Sequence, residues 1–585
     1  MKELKHLNKY LFKYRKKLFF GFFITIIARI FSLVAPRLIG NSLTAVEHFI
    51  KNNSESNIDI LQKTLLINIS IIIGTALISG FFTFLMRQAI INVSRYIEFD
   101  LKNEIFIQYQ NLTQSFYKNN RTGDLMNRIS EDVGKVRMYF GPAIMYGINT
   151  LALFIIVISC MLSVAPKLTF YTLLPLPVLS FLIYKLNKAI HFRSTIVQEM
   201  LSKLSSFTQE IFTGINIIKS YNLSSTILSN FNNLSNTTKD KNMSLVTLQA
   251  WFFPLMLLLI GVSNLIVILI GGSQYINGEI EIGILAEFII YVNMLTWPVT
   301  VVGWLTSIIQ QAEASQKRIN DFLKEKPSIR NGNGNSKVKN GEIEFKNVSI
   351  TYPETKIKAL NDVSFKIKPG ETVGVLGPVG AGKTSLLELI TRLYDPTDGE
   401  ILIDGINLKL FNLKELRKSI GYVPQNPFLF SESINNNIKF GKNNASRQEI
   451  EKAANNASID KEIKRLKNQY NTILGERGIT LSGGQVQRIS IARALIKNPK
   501  IILLDDCLSA VDTDTEEIIL KKLDKYSKEK TTLIISHRIS SIKSADNIIV
   551  FKNGSIIENG GHEQLLKNKN YYSRLYKKQQ SEQNK

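Results

Sequence analysis

The chain has 585 residues, of which 45% are hydrophobic, and a net charge of +24. Long apolar runs are concentrated in residues 18–309, whereas residues 341–585 have the composition of a water-soluble domain, which excludes a uniformly soluble protein. Its two cysteines, Cys160 and Cys507, are too few for a disulfide framework. The basic charge favours an anionic membrane surface over nucleic acid, because many cations flank apolar runs and no nucleic-acid motif occurs.

Six apolar stretches in the first half are long enough to cross a bilayer as helices, for which about 20 residues are needed. The predicted spans are 18–40, 64–86, 140–165, 168–184, 247–271 and 283–309. Eight Lys or Arg residues lie in the loop 87–138, whereas the loop 41–62 has only Lys51. Because cations are retained on the cytoplasmic side, this asymmetry predicts that the N-terminus and the C-terminal half are both cytoplasmic.

The two predicted cytoplasmic loops, which follow the second and the fourth spans, are long and place apolar residues at helical spacing. We therefore expect spans two to five to continue as helices into the cytoplasm. Glycine favours a turn between helices. The predicted tips are accordingly Arg121–Leu125, which contains Gly123 and Asp124, and Phe212–Asn222, which contains Gly214.

Three charged residues lie within the predicted spans, where charge is costly and usually functional. Arg29 is near the middle of the first span and is expected to face a water-filled cavity or another helix. Arg37 and Glu287 lie at similar depth near the outer ends of their spans. Two interpretations of Arg37 remain open, a pair with Glu287 or snorkelling to the outer surface. Arg29 and Glu287 are the candidates for a cargo cavity.

The soluble half begins after residues 326–340, whose Asn, Gly, Ser and Lys content predicts a linker. The pattern G-x-x-x-x-G-K-T at Gly377–Thr384 follows an apolar strand and opens an apolar helix. In this arrangement backbone N–H groups surround phosphates, Lys383 reaches the β and γ phosphates, and the Thr384 hydroxyl binds Mg²⁺. Asp505, after four apolar residues, is the expected second Mg²⁺ ligand. These elements alone indicate a nucleoside triphosphatase of any class.

The segment LSGGQ at Leu481–Gln485 opens a predicted helix and presents a hydroxyl and N–H groups to an anion. With it the chain resembles the ABC transporters, whose signature is LSGGQ, and the fused layout resembles an ABC exporter half-transporter. The resemblance implies an α-helical six-span membrane domain with long cytoplasmic helical extensions, fused to an α/β P-loop ATP-binding cassette domain. The expected organisation is a transmembrane domain at 1–325, the linker, a cassette domain at 341–576 and a flexible tail at 577–585.

The resemblance also implies roles for single residues. Tyr352 stacks on adenine, Gln425 bridges the Mg²⁺ site and the membrane domain, Asp512 lies in the D-loop, and His537 is the switch histidine. Leu481, Ser482, Gly483, Gly484 and Gln485 contact the ATP of a partner chain. The other expected ATP-binding residues are Gly377, Pro378, Val379, Gly380, Ala381, Gly382, Lys383, Thr384 and Ser385, and the expected Mg²⁺ ligands are Thr384, Gln425 and Asp505.

Asp506 occupies the position at which the family carries its catalytic glutamate. Its carboxylate is withdrawn by one C–C bond, about 1.5 Å, and a misplacement of about 1 Å can cost about 100-fold in rate. We therefore expect the site to bind ATP and hydrolyse it slowly. The segment DDCLSAVDT is similar to the degenerate subunit of heterodimeric bacterial multidrug exporters, which implies a heterodimer. A homodimer of modest activity is the alternative.

The expected function is that of a subunit of an ATP-driven exporter in the bacterial cytoplasmic membrane. It would use ATP and Mg²⁺ to move amphipathic or hydrophobic small molecules outwards. The expected partners are a second half-transporter, the lipid bilayer and the cargo, without nucleic acid. The alternatives are a homodimeric lipid or peptide exporter, and a regulatory subunit that ATP gates without transport work.

Overall fold

The structure is a computed structural model that describes residues 3–52, 58–332, 334, 336–475 and 481–583. The chain forms two compact units. The first comprises Met1–Gln110 and Gly123–Glu325, and the second comprises Asn111–Thr122 and Lys326–Lys585. The short segment Asn111–Thr122 therefore belongs with the C-terminal half of the chain, although its neighbours in sequence do not.

The described part of the first unit is helical. Its α-helices are α1 (Asn8–Ser32), α2 (Val34–Asn52), α3 (Ile58–Asn111), α5 (Thr122–Asn127), α6 (Val133–Met138), α7 (Ile144–Val164), α8 (Pro166–Leu173), α9 (Pro175–Thr213), α10 (Ile215–Ser220), α11 (Ser224–Ala250), α12 (Phe252–Ile266), α13 (Gly272–Ile276) and α14 (Ile282–Lys324). A 3₁₀ turn, Glu3–Leu7, precedes α1, and π-helical turns occur at Arg128–Asp132, Tyr139–Ala143 and Val267–Gly271.

Five helical stretches among the described residues are long and apolar enough to cross a membrane. They are Glu3–Lys51, Ile58–Asn111, Thr122–Val164, Ser224–Ile276 and Ile282–Lys324. Each contains all or nearly all of one predicted span. The remaining predicted span, 168–184, is divided between α8 and α9. The division falls at Leu174, because Pro175 has no N–H group with which to continue the hydrogen-bond ladder of α8.

The membrane-type helices are longer than a bilayer is thick. The helix α3 has 54 residues, which corresponds to about 80 Å at 1.5 Å per residue, against a hydrocarbon core of about 30 Å. Its last part carries Asp100 and Glu104, which accept hydrogen bonds from Lys13 and Lys9 of α1. A helix of this length therefore projects well beyond the hydrocarbon core, and paired charges stabilise its polar end.

Two glycines let the backbones of α2 and α14 touch. A Cβ atom at Gly283 would lie 2.1 Å from the carbonyl oxygen of Gly40, so no side chain fits there. The Gly283 N–H group also donates to the Thr44 hydroxyl at 3.2 Å. Small residues are the usual means of close helix packing in membranes. This contact places α14 directly against the first stretch of the chain.

The second unit contains the described strands and the remaining helices. The strands are β1 (Ile343–Thr351), β2 (Lys358–Ile367), β3 (Thr372–Leu376), β4 (Asp398–Ile403), β5 (Ile406–Asn407), β6 (Ile420–Val423), β7 (Ile501–Asp505), β8 (Thr531–Ile535), β9 (Asn547–Lys552) and β10 (Ser555–Gly560). The helices are α4 (Gln114–Asn119), α15 (Lys383–Ile390), α16 (Leu413–Lys418), α17 (Ile434–Lys439), α18 (Arg447–Asn456), α19 (Asp460–Arg465), α20 (Gly483–Leu495), α21 (Thr513–Ser527), α22 (His562–Lys567) and α23 (Tyr571–Gln583), with 3₁₀ turns at Leu408–Leu410, Gln469–Asn471 and Ile539–Ser541.

These strands form two sheets. The four-stranded sheet has the order β2-β1-β4-β5 and is antiparallel. The six-stranded sheet has the order β10-β9-β3-β8-β7-β6, in which β10 alone pairs antiparallel. All five residues of β7 are buried, as expected of a parallel strand covered on both faces. The parallel arrangement brings the carboxyl ends of β3, β7 and β8 to one edge, where ligands of such sheets bind.

The end of the chain differs from the expected flexible tail. Residues 577–583 continue α23, which begins at Tyr571. The Tyr572 side chain is fully buried in an apolar cluster that also contains Leu565 and Ile542. Because this anchor fixes the first turn of α23, the polar residues that follow remain helical although their composition favours disorder.

Candidate functional site

The phosphate-binding loop lies between β3 and α15. Gly382, immediately before α15, has φ of +91°, and a Cβ atom there would lie 2.2 Å from the Ala359 carbonyl oxygen. Gly380 has φ of +79°. Glycine adopts such angles without strain, which explains its presence at these two positions. The loop turns sharply, and although the Ala381 N–H group donates to the Pro378 carbonyl oxygen at 3.3 Å, the start of α15 is oriented as in sites that bind an anion.

Lys383 is held inside this loop. Its Nζ atom donates to the carbonyl oxygens of Gly377 and Pro378, both at 2.8 Å. Burial lowers the pKa of Lys383, while the nearby Asp506 and Asp505 carboxylates raise it. The loop carbonyls thus hold the ammonium group at the place where the γ-phosphate is expected.

Thr384 and Asp505 meet at the carboxyl edge of the sheet. The Thr384 hydroxyl donates to Oδ1 of Asp505 at 3.3 Å. Burial raises the pKa of Asp505 to about 6, and the Thr384 hydrogen bond opposes that rise. The oxygen ligands of this pair suit Mg²⁺, which in nucleotide sites takes one or two protein oxygens plus phosphates and water. Among the described residues, no group of three or more His, Cys, Asp or Glu side chains could hold a metal ion by itself.

A cavity of about 280 Å³ opens above this edge. Most of the predicted ATP-site residues line it, namely Tyr352, Val379, Gly380, Ala381, Gly382, Lys383, Thr384, Ser385, Gln425, Asp505, Asp506 and His537. Ala359 and Ile535 also line it and were not expected from the sequence. Gly377 and Pro378 are not among the lining residues, because they contribute the carbonyl groups that hold Lys383.

Asp506 and His537 both line this cavity and follow the neighbouring strands β7 and β8. Asp506 has φ of +44°, which Asp tolerates better than most residues, and its N–H group donates to the Ile535 carbonyl oxygen at 2.9 Å. Burial and the charge of Lys383 lower the pKa of His537, while Asp506 raises it. The strained backbone at Asp506 aims the shorter carboxylate into the nucleotide cavity.

Tyr352 is held by contacts that the sequence did not indicate. Its hydroxyl donates to Glu388 at 2.6 Å and lies 2.8 Å from the Ser385 hydroxyl. The Lys118 ammonium group, in α4, lies 5.0 Å from the Tyr352 ring centre and 4.9 Å from that of Tyr394. Lys118 also lies 3.8 Å from Glu388. The segment Asn111–Thr122 therefore contacts the ring that is expected to stack on adenine.

The signature segment forms the start of α20. The Ser482 hydroxyl accepts from the Gln485 N–H group at 3.3 Å, and the Gln485 side chain accepts from the Ser482 N–H group at 3.0 Å. This capping box leaves Ser482 and Gly483 exposed. None of the five signature residues lines the nucleotide cavity of the same chain. Asp512, likewise exposed, caps α21 by accepting from the Thr515 N–H group at 2.9 Å.

Of the charged residues within the spans, Arg29 contacts another helix, which was one of its two expected environments, whereas Glu287 has a partner that was not expected. Arg29 donates from Nε to Asn149 of α7 at 2.5 Å, so it faces another helix. Glu287 is 4% exposed and accepts from the Tyr291 hydroxyl at 2.6 Å. Arg37 is exposed, and no ion pair joins it to Glu287 although the structure describes both residues. The described hydrogen-bond partner of Glu287 is therefore the neighbouring hydroxyl on α14, and snorkelling of Arg37 to the outer surface stays a prediction.

The membrane unit has an aromatic cavity that the sequence did not predict. It has a volume of about 300 Å³ and is lined by Tyr146, Trp297, Val301 and Trp304. The Tyr146 and Trp304 rings meet edge to face at 5.5 Å. Arg29 and Glu287, the residues expected at a cargo cavity, are not among its lining residues. Helical spacing alone does not show which apolar residues of a span face a cavity.

At the first expected tip the helices break at or before Arg121, whereas the break at Gly214 lies within the second expected tip, as predicted. Gly123 and Asp124 lie within α5, which follows the short helix α4. The helix α4 belongs to the second unit. Gly214 separates α9 from α10 with φ of −94°, so its turn does not depend on glycine. The second tip is more apolar than expected of a water-facing turn, with Phe212, Ile217 and Tyr221 each more than half exposed.

Comparisons with known proteins place both halves of the chain. Residues 360–509 match the family model described as "ABC transporter", and residues 18–299 match "ABC transporter transmembrane region". A relative from Buchnera aphidicola, "Multidrug resistance-like ATP-binding protein MdlA", is 37% identical over 98% of each chain. The protein of the same name from Escherichia coli is 34% identical over 96% of this chain and 93% of its own.

A further relative and one solved structure agree with these matches. "Probable multidrug resistance ABC transporter ATP-binding/permease protein YheI" from Bacillus subtilis is 36% identical over 82% of each chain. The solved structure titled "Structure of a bacterial Atm1-family ABC exporter with ATP bound" has a TM-score of 0.80 at 23% identity. The match covers 97% of this chain and 99% of that one, which establishes a shared fold.

Proposed function

The chain belongs to the ABC transporter family, in which ATP hydrolysis drives transport, and we propose that it is the slow-hydrolysing half of a heterodimeric multidrug-type exporter. Its homologues are named as multidrug-resistance-like proteins. The observation that carries the proposal is Asp506, which lines the nucleotide cavity at the position of the family's catalytic glutamate. The groups that bind the nucleotide and its magnesium ion are all present around it.

ATP binding and ATP hydrolysis depend on different groups of this site. Lys383, Thr384 and Asp505 hold the phosphates and Mg²⁺, which neutralises charge on the phosphates when bound. The carboxylate of Asp506 would polarise the attacking water, and the side chain of Asp506 is one methylene shorter than that of glutamate. A retreat of about 1.5 Å lowers the rate by about 100-fold on the usual sensitivity to position, and it leaves ATP affinity largely unchanged.

The need for a partner chain follows from the signature. Ser482 and Gly483 are exposed and do not line the cavity of their own chain. They are therefore available to a nucleotide held by a second chain, as the family resemblance implies. Phe212, Ile217 and Tyr221 of the second tip are exposed apolar residues that such a partner would cover. We infer that this chain completes the faster ATP site of its partner.

The first unit, the membrane unit, is proposed to cross the cytoplasmic membrane six times. The second unit, which binds ATP, is proposed to lie in the cytoplasm. The span needed in addition to the five long helical stretches is the fourth in chain order, residues 168–184, in which the break at Leu174 divides α8 from α9. The aromatic cavity next to Trp297 and Trp304 supports an apolar or amphipathic aromatic cargo. The tips Asn111–Thr122 and Phe212–Asn222 are proposed to transmit closure of the ATP-binding units to the spans.

The decisive experiment is Mg-ATP turnover by the full chain, purified alone in lipid nanodiscs, with the Lys383→Ala variant as background. Turnover far below about 1 per second, the low end of ordinary enzymes, is the expected result. Asp506→Glu should then raise the rate by about 100-fold. Ordinary turnover by the wild-type chain would instead support an active homodimer and would overturn the heterodimer proposal.

Transport is tested separately in inverted vesicles that contain this chain and a glutamate-bearing partner. ATP-dependent accumulation of an aromatic dye against its gradient is the expected result. Loss of accumulation in the partner's Walker lysine variant should be complete, whereas Lys383→Ala in this chain should leave part of it. A dye flux that only equilibrates across the membrane would contradict active export and would favour an ATP-gated subunit.

A further inference from the structure

The last helix of the chain contacts the backbone on both sides of Arg538, in the segment 536–541 that follows β8. This segment contains the expected switch histidine, His537, and is here called the switch loop. Gln579 of α23 accepts a hydrogen bond through Oε1 from the Ile539 N–H group at 2.9 Å. The same side chain donates from Nε2 to the His537 carbonyl oxygen at 2.8 Å. We propose that Gln579 is a positioning residue for ATP hydrolysis, which holds His537 in the nucleotide cavity from the C-terminal helix.

The position of Gln579 is fixed by the packing of α23. Tyr572 is fully buried, and Leu575 and Tyr576 pack against the same apolar cluster. Residues 572, 575, 576 and 579 recur at helical spacing and therefore share one face of α23. Ile539, the residue that donates to Gln579, is itself a buried member of this cluster. The amide group thus reaches the switch loop from a rigid support.

Several hydrogen bonds attach the switch loop to the rest of its unit, including bonds from Arg538 to Ser509 and from Ser541 to Glu516. The Ser536 N–H group donates to the Val375 carbonyl oxygen of β3 at 3.2 Å. Arg538 donates to the buried carboxylate of Glu516 at 2.7 Å. Among the hydrogen bonds of the described residues, those of Gln579 include the one to the His537 backbone itself. Losing Gln579 leaves a buried N–H group at Ile539 without this partner, which favours a rearranged loop.

The functional effect should fall on hydrolysis more than on ATP binding. Nucleotide affinity depends on the loop before α15, on Lys383 and on the Tyr352 ring, none of which contacts Gln579 in the described hydrogen bonds. His537 lines the cavity beside Asp506, where the transferred phosphate is expected. Small displacements of such a group reduce the rate steeply. This inference rests on the proposed role of His537 in the ATP site.

The test uses the full chain in lipid nanodiscs and measures single-turnover hydrolysis of bound Mg-ATP, which reads a slow site as well as a fast one. Gln579→Ala should lower the rate constant about three- to tenfold, the loss expected for a pair of ordinary hydrogen bonds, with less than about a twofold change in the affinity for Mg-ATP. Gln580→Ala is the matched control, because Gln580 is exposed and bonds to Tyr576 on its own helix. It should change neither quantity.

A double-mutant cycle separates positioning from a general structural role. Gln579→Ala combined with His537→Ala should hydrolyse ATP no more slowly than His537→Ala alone, because the two changes remove one function. Effects that multiply, or a His537→Ala variant with unchanged rate, would overturn the proposal. Gln579→Glu is the second variant, used if Gln579→Ala fails to fold. It keeps the acceptor for Ile539 and loses the donor to His537, and its rate of hydrolysis should fall in part.

The cycle is repeated with Asp506→Glu to keep the two proposals distinct. If Asp506→Glu hydrolyses no faster than the wild-type chain, the slow-site proposal fails, while the coupling between Gln579 and His537 is still measured. Hydrogen exchange of the peptide that contains Ile539 should accelerate in Gln579→Ala and not in Gln580→Ala. Unchanged exchange there would show that the hydrogen bond does not hold the loop, and would overturn the positioning role.

Discussion

The Lys118 ammonium group lies 5.0 Å from the centre of the Tyr352 ring, which is expected to stack on adenine. A cation at this distance polarises the ring and restrains it, an interaction worth about 0.5–1 kcal/mol at an exposed site. Lys118→Ala should therefore weaken Mg-ATP binding about two- to fivefold, as measured with a fluorescent ATP analogue. Lys118→Arg should retain the affinity.

The control for this change is Lys552→Ala, which removes an exposed lysine of β9 in the same unit. It should leave the affinity unchanged. Equal weakening by Lys118→Ala and Lys552→Ala would show that only the loss of positive charge matters, and it would contradict a specific contact with Tyr352.

The stability of the nucleotide-free chain should depend on pH through Asp505. Burial raises its pKa to about 6, above the value near 3.9 of an unfolded chain. The stability it contributes is therefore present below the unfolded pKa and is lost as the pH rises through about 6. Asp505→Asn should raise the melting temperature at pH 7.5, without Mg²⁺, by about 2–6 °C.

The same difference should shrink as the pH is lowered from 6.5 towards 4.5, because Asp505 then binds a proton in the wild-type chain. Thermal unfolding by intrinsic fluorescence measures both arms. Asp514→Asn, at an exposed position in the first turn of α21, is the control and should shift the melting temperature little at either pH. A difference independent of pH would exclude this origin.

The signature serine should matter for a second chain and not for its own cavity. Ser482→Ala removes the hydroxyl that caps α20, and it should leave the affinity of the isolated chain for ATP within about twofold, since Ser482 does not line the cavity. Turnover by the assembled exporter should fall by at least about tenfold, because a group that acts only in hydrolysis is lost.

Ser446→Ala provides a closely matched control. Ser446 caps α18 with the same reciprocal bonds, to Glu449, in the same unit. Its loss should cost a similar amount of stability, about 1 kcal/mol, without changing turnover. Parallel falls in turnover for both variants would mean that capping alone explains the effect of Ser482.

The aromatic cavity of the membrane unit should determine which cargo stimulates ATP hydrolysis. Trp304 meets Tyr146 edge to face and lines the cavity. Trp304→Ala should raise the dye concentration needed for half-maximal stimulation about five- to thirtyfold, since one aromatic contact is worth about 1–2 kcal/mol with its buried area. Trp251→Ala, at an exposed position outside the cavity, should leave it unchanged.

Arg29 offers a second comparison within the same assay. It donates to Asn149, so Arg29→Ala and Asn149→Ala should lower thermal stability by amounts that do not add. Neither should change the dye concentration for half-maximal stimulation. A selective change in dye response for Arg29→Ala would instead place this guanidinium in the cargo path.

Several features were determined by the sequence itself because they depend on short-range patterns. The run Gly377–Thr384 specifies a sharp turn through its own glycines, and Ser482 and Gln485 of the signature specify a helix start. The family that these motifs predicted is confirmed by the matches over both halves. Hydropathy over about 20 residues was likewise enough to locate five membrane-type helices. The break in the remaining predicted span, 168–184, could have been predicted from Pro175.

Other features were decided only by the tertiary structure. Lys118 meets Tyr352, and Gln579 meets His537, although each pair joins segments without any common motif. Arg29 donates to Asn149, which the sequence did not identify, and Glu287 accepts from Tyr291, although its depth in the membrane had suggested Arg37. Contacts of this kind depend on how distant helices and strands pack against one another. Sequence periodicity shows which face of an element is buried, but the neighbour on that face is set by the fold as a whole.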